Sequence, residues 1–569
     1  MRRESEAEPQ SRVATSEIPC FWGHNVSIAR PVAFSGSAIA NTFARQSPNA
    51  ATPFSSLHPP LAALGNVSHK SQFTSYHDNE RNIMSNAFLI DYIKGRECAI
   101  LGLGVSNLPL AHTLCEAGIK LRIYDKCTPE ELGADALSLR DAGAEFFVSD
   151  RNFEGIRGDV IFRSPGIRPD VKGIADAVSR GAELVSEMEV FLRLTPARTY
   201  AITGSDGKTT STTLTGRFLE AYGRINGYNT YVGGNIGTPL LDRCGEMSGD
   251  DRAVLELSSF QLMTLTDAPE RAAITNISPN HLDWHTGMDE YIASKKNITS
   301  DRTRRFVTNA ECSETLNIAR ELARTGMEIV LFSSEKSSYG EIFGDIRPVG
   351  GALAVYEREG CIRVSDGVDE SKALDVSLIK VPGRHNVENY MTAIGLTWGD
   401  VPVQIYADAA QDFFGVEHRL EFVRNLEGVD YYNGSIESSP TRTAAALSAL
   451  ADRSIVLICG GYDKKIPYEP LARAICEHGG VRAVVLTGAT GEKIGREVEL
   501  YEKAHPSSSL ILLYRQSDFA SAVELARTVA RKGDCVLLSP ASASFDAFKN
   551  FAERGNTFKR IVMGFESSV

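Results

Sequence analysis

A glycine-rich turn between an apolar strand and a helix constrains the fold of this chain most strongly. The turn reads Ala201-Ile-Thr-Gly204-Ser-Asp-Gly207-Lys208-Thr209-Thr210. Glycines let backbone amides point at phosphate oxygens, a lysine at this spacing neutralises the β- and γ-phosphates, and the next threonine can place its hydroxyl on Mg²⁺. The stretch therefore predicts an ATP-binding loop formed by Gly204, Ser205, Asp206, Gly207, Lys208, Thr209 and Thr210.

The spacing of this loop differs from the common phosphate-loop pattern G-x-x-x-x-G-K-[ST]. Ile202 stands where that pattern has its first glycine, which leaves the shorter form G-x-x-G-K-T-T. The alternative interpretation is a surface turn that contains Lys-Thr by coincidence. The apolar strand before the loop and the helix after it favour the phosphate loop.

Short apolar strands alternate with helical patterns from about residue 94 onward. This alternation is typical of α/β domains with parallel sheets. At roughly 100–200 residues per domain, the 569 residues of the chain predict three or more domains. The predicted strands include Lys120–Tyr124, Tyr200–Ile202, Ala253–Leu257, Arg271–Asn276, Ser454–Ile458, Ala483–Leu486 and Cys535–Leu538.

Composition excludes several classes of protein. The net charge of -12 and the pI of about 5.6 argue against a nucleic-acid-binding protein, which needs a basic surface. The ten cysteines are scattered singly, without a C-x-x-C pair, as expected for a protein of the reducing cytoplasm. No apolar run reaches the ~18 residues that a membrane-spanning helix needs.

Residues 1–85 differ from the rest of the chain. They are rich in Ser, Ala, Asn and Pro, and Asn25–Tyr76 contains no acidic residue. An organelle transit peptide would have such a composition. We favour the other interpretation, a disordered or non-native N-terminal extension, because Met84 followed by Ser-Asn-Ala would be a natural start.

A second glycine cluster, Gly102-Leu-Gly104-Val-Ser-Asn107, follows the strand that begins at Cys98. It resembles a dinucleotide-binding turn, with Asn107 in place of the third glycine and Asp125 where a ribose-contacting acid would stand. A nicotinamide-dependent oxidoreductase is therefore an alternative for this segment. Ser164-Pro-Gly166-Ile is a further loop after a strand, where ligands of open sheets collect.

Three residues predict a metal site beside the phosphate loop. Glu256 ends the strand Ala253–Leu257, a usual position for an acid that supports the metal of a phosphate loop. His281 follows the next strand, and Lys295 lies on a predicted helix over Met288–Thr299. A lone histidine is more often structural, but its neighbours favour a functional role here.

Together these motifs resemble the Mur ligases and folylpolyglutamate synthetases. The resemblance covers about 86–564, and its parts occur in the order of the family. Gly233-Gly-Asn-Ile-Gly237 and the stretch Leu538–Phe551 resemble the D-glutamate-adding Mur ligases in particular. The other motifs are Gly204–Thr210, Leu255–Gln261, Asn276–Asp283, Gly383–Asn389 and His418-Arg419.

The resemblance implies three domains after the extension. Residues 86–196 would form a Rossmann-like domain that binds the UDP part of the substrate. Residues 197–415 would form a P-loop ATPase domain with a mostly parallel sheet, and residues 416–569 a second Rossmann-like domain that brings the amino acid. The implied UDP-substrate contacts are Val105, Ser106, Asp125, Lys126, Ser164, Gly166 and Asn235.

The family's chemistry is amide-bond formation through an acyl phosphate. The implied substrates are ATP, D-glutamate and UDP-N-acetylmuramoyl-L-alanine, used in peptidoglycan precursor synthesis by a cytoplasmic enzyme that we expect to be monomeric. The resemblance implies two Mg²⁺ sites, with Thr209, Glu256, His281 and a carbamylated Lys295 as ligands. Lys208, His281 and Lys295 would be the catalytic residues, and the neighbouring Lys296 is the alternative carbamate position.

Further residue roles follow from the same resemblance. Asn386 and Asn389 match adenine contacts, and Arg419 matches a nucleotide contact in the interdomain hinge. The implied D-glutamate contacts are Ser438, Lys464, Ser544, Phe545 and Phe551. A lysine beside a serine hydroxyl suits a dicarboxylate, although Phe551 alone could equally be a core residue.

One segment departs from the family. Where many members have Asn-Asp-Ser-Lys-Ala-Thr-Asn, this chain has Asn433-Gly-Ser-Ile-Glu-Ser-Ser439. Gly434 and Ile436 thus replace an acid and a lysine, whose roles do not carry over. A sister ligase that adds another amino acid, or glutamate to folate, is a further alternative, and the stretch Ser544–Phe551 argues against it.

Overall fold

The computed structural model describes residues 87–104, 106–148, 153–282, 284–505 and 510–566. The interpretations of residues 1–85 and of Val105 lie outside these ranges. The chain separates into two compact units between Leu184 and Val185, and each unit is described by itself.

The first unit is built on a five-stranded sheet in the order β3-β2-β1-β4-β5. Strand β1 pairs in parallel with β2 and β4, and β2 pairs in parallel with β3. Its strands are β1 (Cys98–Leu101), β2 (Leu121–Asp125), β3 (Glu145–Val148), β4 (Val160–Arg163) and β5 (Glu183–Val185). Its helices are Ala87–Ile93, Asn107–Glu116, Pro129–Leu132, Ala134–Asp141 and Lys172–Ser179.

The second unit contains a nine-stranded sheet in the order β14-β13-β12-β11-β10-β9-β6-β8-β7. Every neighbouring pair from β7–β8 through β11–β12 is parallel. The two pairs at the other edge, β12–β13 and β13–β14, are antiparallel. These strands are β6 (Arg198–Thr203), β7 (Thr230–Gly234), β8 (Arg252–Glu256), β9 (Arg271–Ile274), β10 (Arg305–Asn309), β11 (Glu328–Ser333), β12 (Ala352–Arg358), β13 (Cys361–Ser365) and β14 (Glu370–Asp375). The helices of this region are Glu187–Leu194, Lys208–Asn226, Ser259–Leu262, Met288–Lys296, Ser313–Leu322, Tyr339–Phe343, Arg384–Thr397 and Val403–Gln411, with 3-10 turns at Leu241–Glu246 and Val376–Leu378.

The same unit carries a six-stranded sheet in the order β15-β16-β20-β17-β18-β19. Only the first pair, β15 with β16, is antiparallel among the described strands of this sheet. The strands are β15 (Glu421–Leu426), β16 (Val429–Asn433), β17 (Ser454–Gly460), β18 (Val481–Thr487), β19 (Leu512–Arg515) and β20 (Asp534–Leu538). The helices are Pro440–Ala449, Glu469–Glu477, Gly491–Ala504, Phe519–Val529 and Phe551–Met563.

Burial explains why the phosphate-loop helix is held in place. The helix Lys208–Asn226 lays Leu214 and Phe218 on the nine-stranded sheet and against the helix Arg384–Thr397. The ring of Phe218 lies 6.2 Å from that of Tyr390. Burying side chains of this size contributes about 1.5–3 kcal/mol each, so the helix is fixed along its whole apolar face.

The mixed α/β fold with parallel sheets that the alternation predicts is confirmed. The predicted helix at Met288–Thr299 is present as Met288–Lys296. The domain boundaries at 196/197 and 415/416 stay predictions. No helix in the described ranges is both long enough and apolar enough to span a bilayer.

Candidate active site

The phosphate loop lies between β6 and the helix that begins at Lys208. Gly204 and Gly207 both have positive φ, of +150° and +77°. The Lys208 ammonium group donates to the carbonyl oxygens of Gly204, at 2.8 Å, and Ser205, at 2.9 Å. The lysine thus folds back over its own loop, beside the free amides of the helix N-terminus where a phosphate would bind.

The segment after β9 clamps this loop. The amide of Ser205 donates to the Asn276 carbonyl oxygen at 2.9 Å, and the Asp206 amide donates to Asn276 Oδ1 at 3.0 Å. Thr275 Oγ1 donates to the Asp206 carbonyl oxygen at 2.5 Å. The motif that begins at Asn276 therefore shapes the phosphate loop directly, which its position in the sequence alone does not reveal.

Gly204→Ala is expected to lower the free energy of unfolding more than Gly227→Ala. A Cβ at Gly204 would lie 1.8 Å from Thr275 Oγ1, whereas one at Gly227 meets nothing within 4 Å. Both glycines have positive φ, so Gly227→Ala is a matched control that carries backbone strain of about 1–2 kcal/mol without the overlap. We expect roughly 3 kcal/mol or more for Gly204→Ala, measured as urea midpoints by fluorescence. Equal midpoints would contradict the clamp.

Asn389 supports the loop from behind. Its side chain is buried, accepts a hydrogen bond from Ser211 Oγ at 3.2 Å and donates to Asn386 Oδ1 at 3.1 Å. A Cβ at Gly207 would lie 2.4 Å from Asn389 Oδ1. The structure therefore places Asn389 against the phosphate loop, and the adenine contacts of Asn386 and Asn389 stay predictions.

Glu256 and Asn235 form the acidic part of the site. Asn235 donates from its backbone amide to the Glu256 carbonyl oxygen at 2.8 Å and from Nδ2 to Glu256 Oε1 at 3.0 Å. Glu256 is 2% exposed, and its Oε2 has no hydrogen-bond partner among the described residues. A buried carboxylate oxygen without a donor is costly, so this atom fits a cation ligand.

Lys295 is buried beside Lys208. Its Nζ donates to the Gly204 carbonyl oxygen at 2.8 Å and to Thr203 Oγ1 at 3.3 Å, and it lies 4.6 Å from the centre of the Tyr291 ring. Burial, together with the nearby charge of Lys208, lowers the pKa of Lys295 to about 6. Both lysines donate to the Gly204 carbonyl oxygen. Because its pKa lies below 7, Lys295 is mostly an uncharged amine at neutral pH. Lys296 is instead half-exposed and paired with Glu321.

His281 lies at the surface, in contrast to the buried Glu256 and Lys295. It adopts a φ of +55°, and its ring packs edge-on against Phe260 at 4.9 Å. His285 is the buried histidine of this segment, with Nε2 at 2.9 Å from Ser259 Oγ and Nδ1 at 3.2 Å from Glu290. Within the described ranges no three His, Cys, Asp or Glu side chains form a metal cluster. The predicted set has only two such residues, so its metal role stays a prediction.

Arg419 and Arg442, which follow the nine-stranded sheet in the chain, act electrostatically on the phosphate loop. Arg419 and Arg442 both lower the pKa of Lys208, although burial is the main cause. Burial also lowers the pKa of Arg419, with Arg442 acting in the same direction and Glu256, Glu437 and Asp206 opposing it. Positive charges from both sheets thus converge where the chain of phosphates would lie.

Lys464 and Ser438, two of the predicted D-glutamate residues, are in contact. Lys464 Nζ lies 3.2 Å from the carbonyl oxygen and 3.4 Å from Oγ of Ser438. The backbone amide of Tyr462 donates to the carbonyl oxygen of Ala543, the neighbour of Ser544. The Tyr462 ring lies 6.1 Å from the ring of Phe545. Phe551 accepts a hydrogen bond from Ser435 Oγ at its carbonyl oxygen, 2.7 Å away. Phe545 and Phe551 are 56% and 40% exposed, so they line a surface and are not core residues.

Sequence reasoning missed Arg554, which holds this surface together. Its buried guanidinium donates to Ser435 Oγ at 3.1 Å and to the carbonyl oxygens of Ser435, Ser542 and Ala543 at 2.9 to 3.1 Å. Nothing local marks it, since a charged residue in a helix usually faces solvent.

The first unit presents a separate loop site. Ser164 packs against the glycine turn. A Cβ at Gly102 would lie 3.0 Å from Ser164 Cβ. Asp125 accepts the amides of Leu103 at 2.8 Å and Cys127 at 3.0 Å. Asn107 Nδ2 donates to the Gly102 carbonyl oxygen at 3.0 Å. Lys126 is exposed, Ser106 lies in the glycine turn after β1, and Gly166 lies in the loop after β4.

Comparison with known proteins identifies the family. The Mur ligase middle domain matches residues 202–397, and the Mur ligase, glutamate ligase domain matches residues 418–542. This chain therefore belongs to the Mur ligase family. The resemblance inferred from the sequence is confirmed.

Three similar proteins share one name. The UDP-N-acetylmuramoylalanine–D-glutamate ligase of Ruminiclostridium cellulolyticum is 41% identical over 472 residues, which cover 83% of this chain and 97% of the relative. The ligase of that name from Clostridium novyi is 41% identical over 476 residues, with 83% and 97% covered. The one from Acetivibrio thermocellus is 40% identical over 478 residues, with 84% and 98% covered.

Proposed function

We propose that this chain is the ATP-dependent ligase that joins D-glutamate to UDP-N-acetylmuramoyl-L-alanine in peptidoglycan precursor synthesis. The observation that carries the proposal is the meeting, in one unit, of the Lys208 loop and the charges of Arg419 and Arg442. The Lys464–Ser438 pair supplies a second polar site on the same six-stranded part of the unit. Relatives of this name match the chain over nearly their whole length.

The reaction proceeds in two steps. A carboxylate oxygen of the L-alanine group attacks the γ-phosphorus of ATP, the bond to the β–γ bridging oxygen breaks, and ADP leaves with an acyl phosphate formed. The ammonium group of D-glutamate loses one proton, and the resulting amine attacks the acyl carbon. Phosphate leaves, and the nitrogen gives up a second proton as the amide bond forms. Lys208 offsets the charge that keeps the two anions of the first step apart.

The proposal includes two Mg²⁺ ions beside the phosphate loop. The buried, unpartnered Oε2 of Glu256 fits a cation, and Asn235 fixes the other oxygen of that carboxylate. Thr209, His281 and Lys295 complete the proposed ligand set, with Lys295 as a carbamate. Bound Mg²⁺ would supply positive charge to the transferred phosphoryl group.

Carbamylation of Lys295 is supported by its surroundings. The uncharged amine is the form that reacts with carbon dioxide, and a carbamate would place a negative charge beside the Lys208 ammonium group. Lys296, whose ammonium group is already paired with Glu321 at the surface, lacks this environment.

We assign the first unit to the UDP part of the substrate. Asp125 and Ser164 contact its glycine turn. The other proposed contacts are Val105, Ser106, Lys126 and Gly166, and the role of Asn235 stays a separate prediction. A nicotinamide site is disfavoured, because the buried Asn107 side chain closes the turn where that site needs a third glycine. The three sheets support the three-domain division, with Rossmann-like outer domains and a central P-loop domain.

Localisation and assembly complete the proposal. All cysteines in the described ranges are free thiols, which suits the reducing cytoplasm. The expected monomer stays a prediction.

Phosphate release from ATP and Mg²⁺ with UDP-N-acetylmuramoyl-L-alanine tests the proposal. We expect release with D-glutamate and none above background with L-glutamate, L-lysine or meso-diaminopimelate. Release with another amino acid would keep the mechanism and assign the chain to a sister ligase. Absence of release with all four, from protein that binds ATP, would contradict the proposed reaction.

A further inference from the structure

The buried guanidinium group of Arg554 ties together two segments that are far apart in the chain. Its Nε donates to Ser435 Oγ at 3.1 Å, and its Nη2 donates to the Ser435 carbonyl oxygen at 2.9 Å. Nη2 also donates to the Ser542 carbonyl oxygen at 3.1 Å, and Nη1 donates to the Ala543 carbonyl oxygen at 3.0 Å. Arg554 is 2% exposed. One side chain therefore fixes the turn after β16 against the loop after β20.

A third segment, the loop after β17, reaches the same point. The Tyr462 amide donates to the Ala543 carbonyl oxygen at 2.9 Å, so this oxygen accepts from Tyr462 and from Arg554. A Cβ at Gly461 would lie 2.2 Å from the Ala543 carbonyl oxygen and 3.1 Å from Arg554 Nη1. The absence of a side chain at Gly461 thus lets this loop pass directly over the guanidinium group.

Each of the three segments carries one of the proposed D-glutamate contacts. These contacts are Ser438 in the turn after β16, Lys464 in the loop after β17 and Ser544 in the loop after β20. Lys464 Nζ lies 3.2 Å from the Ser438 carbonyl oxygen, which joins the first two segments a second time. The contacts therefore form a closed circuit through all three segments, and Arg554 lies at its buried side.

The charge of Arg554 suits an anionic ligand beside it. All four of its hydrogen bonds go to uncharged oxygen atoms. Burial lowers the pKa of Arg554 to about 10, with Asp546 acting in the opposite direction, so the group stays charged at neutral pH. Burial also lowers the pKa of Lys464, and the charges of Arg442 and Arg554 act in the same direction. Neighbouring cations of this kind favour a dicarboxylate such as glutamate.

We propose that Arg554 is a positioning residue that holds Ser438, Lys464 and Ser544 in one arrangement and so sets the affinity for the amino-acid substrate. It acts through the backbone of the three segments. The planar fork of an arginine bonds several oxygen atoms in fixed directions, which a lysine does not reproduce. The inference rests on the proposed function for the identity of the amino acid only, because loosening of the segments can be measured without substrate.

Replacing the guanidinium fork tests the proposal. Arg554→Lys keeps the positive charge and loses the fork, and we expect KM for D-glutamate to rise about 10- to 100-fold, the cost of contacts misplaced by about 1 Å. KM for ATP should change less than about twofold, since the four bonds of Arg554 do not involve the phosphate loop. Arg554→Met removes the charge as well and should be at least as impaired.

Two further variants separate positioning from folding. Arg560 is exposed on the same helix, Phe551–Met563, and Arg560→Lys should change neither KM value. Ser435→Ala removes only the hydroxyl that accepts from Arg554 Nε, so it should raise KM for D-glutamate about threefold, and it tests the proposal even if Arg554→Lys does not fold. A purely structural arginine would lower Tm and the active fraction and leave both KM values unchanged. That result, or an equal rise in both KM values, would overturn the proposal.

Hydrogen exchange of the full chain without substrate keeps this inference apart from the proposed reaction. Arg554→Lys should exchange faster than wild type in 433–439, 460–464 and 541–546, and at the same rate in 204–210. If wild type forms no product with D-glutamate but these three segments exchange faster in the variant, the reaction is wrong and the positioning role of Arg554 stands. If wild type is active and the variant changes neither the exchange nor KM for D-glutamate, the positioning role is wrong and the reaction stands.

Discussion

Lys208→Ala is expected to lower kcat for phosphate release by about 100- to 1,000-fold, because transfer between two anions depends on fixed positive charge at the phosphates. In the structure the Lys208 ammonium group bonds the carbonyl oxygens of Gly204 and Ser205. The variant therefore loses both the charge and a brace of the loop. Steady-state phosphate release with saturating D-glutamate measures the loss.

Two controls accompany this measurement. Lys372→Ala removes an exposed lysine whose partner is Asp375, on the antiparallel edge of the same sheet, and should leave kcat unchanged. Thermal melting should show that Lys208→Ala is folded. A kcat within about threefold of wild type, against the loss expected from phosphoryl-transfer lysines, would remove Lys208 from the catalytic machinery.

Lys295→Ala is expected to lower kcat for phosphate release by a factor similar to that of Lys208→Ala. Added formate or acetate should restore part of the activity. The side chain is 1% exposed, so alanine leaves a buried cavity beside the phosphate loop that a small carboxylate can enter. That carboxylate would take the position of the proposed carbamate. A lost metal ligand of this kind costs about 10- to 100-fold in metal affinity or more, which a titration with Mg²⁺ would show.

The adjacent lysine is the matched control for this prediction. Lys296→Ala removes the surface pair with Glu321 and should keep nearly full activity without any effect of formate. Wild type in labelled bicarbonate should also give a carbamate carbon signal in nuclear magnetic resonance, absent from Lys295→Ala. Loss of the signal from Lys296→Ala instead would move the carbamate by one residue.

The nucleotide loop could be predicted because its chemistry is local. Two glycines, a lysine and a threonine at fixed spacing between a strand and a helix define the backbone path and the charge together. The parallel sheets could be predicted for a similar reason, since alternation of strands and helices forces crossover connections. The antiparallel strands β12–β14 were not predicted, because short edge strands reveal their direction only through their partners.

The arrangement of buried charge could not be predicted from the sequence. Arg554 lies on a helix and Glu437 in a turn, positions where charged residues usually face solvent, yet both are buried. Asn389 matched an adenine contact in the family, whereas its described contacts hold the phosphate-loop helix. Each of these roles depends on segments far apart in the chain.

The sequence by itself determined the α/β class, the family and the residues of the phosphate loop, because these follow from spacing within short segments. Only the tertiary structure decided which of two adjacent lysines is buried, and that the carboxyl group at 437 fills the space of a side chain missing at 434. The physical reason is that burial and electrostatic interaction depend on what surrounds a group in space. Neighbours in the sequence supply only a small part of those surroundings.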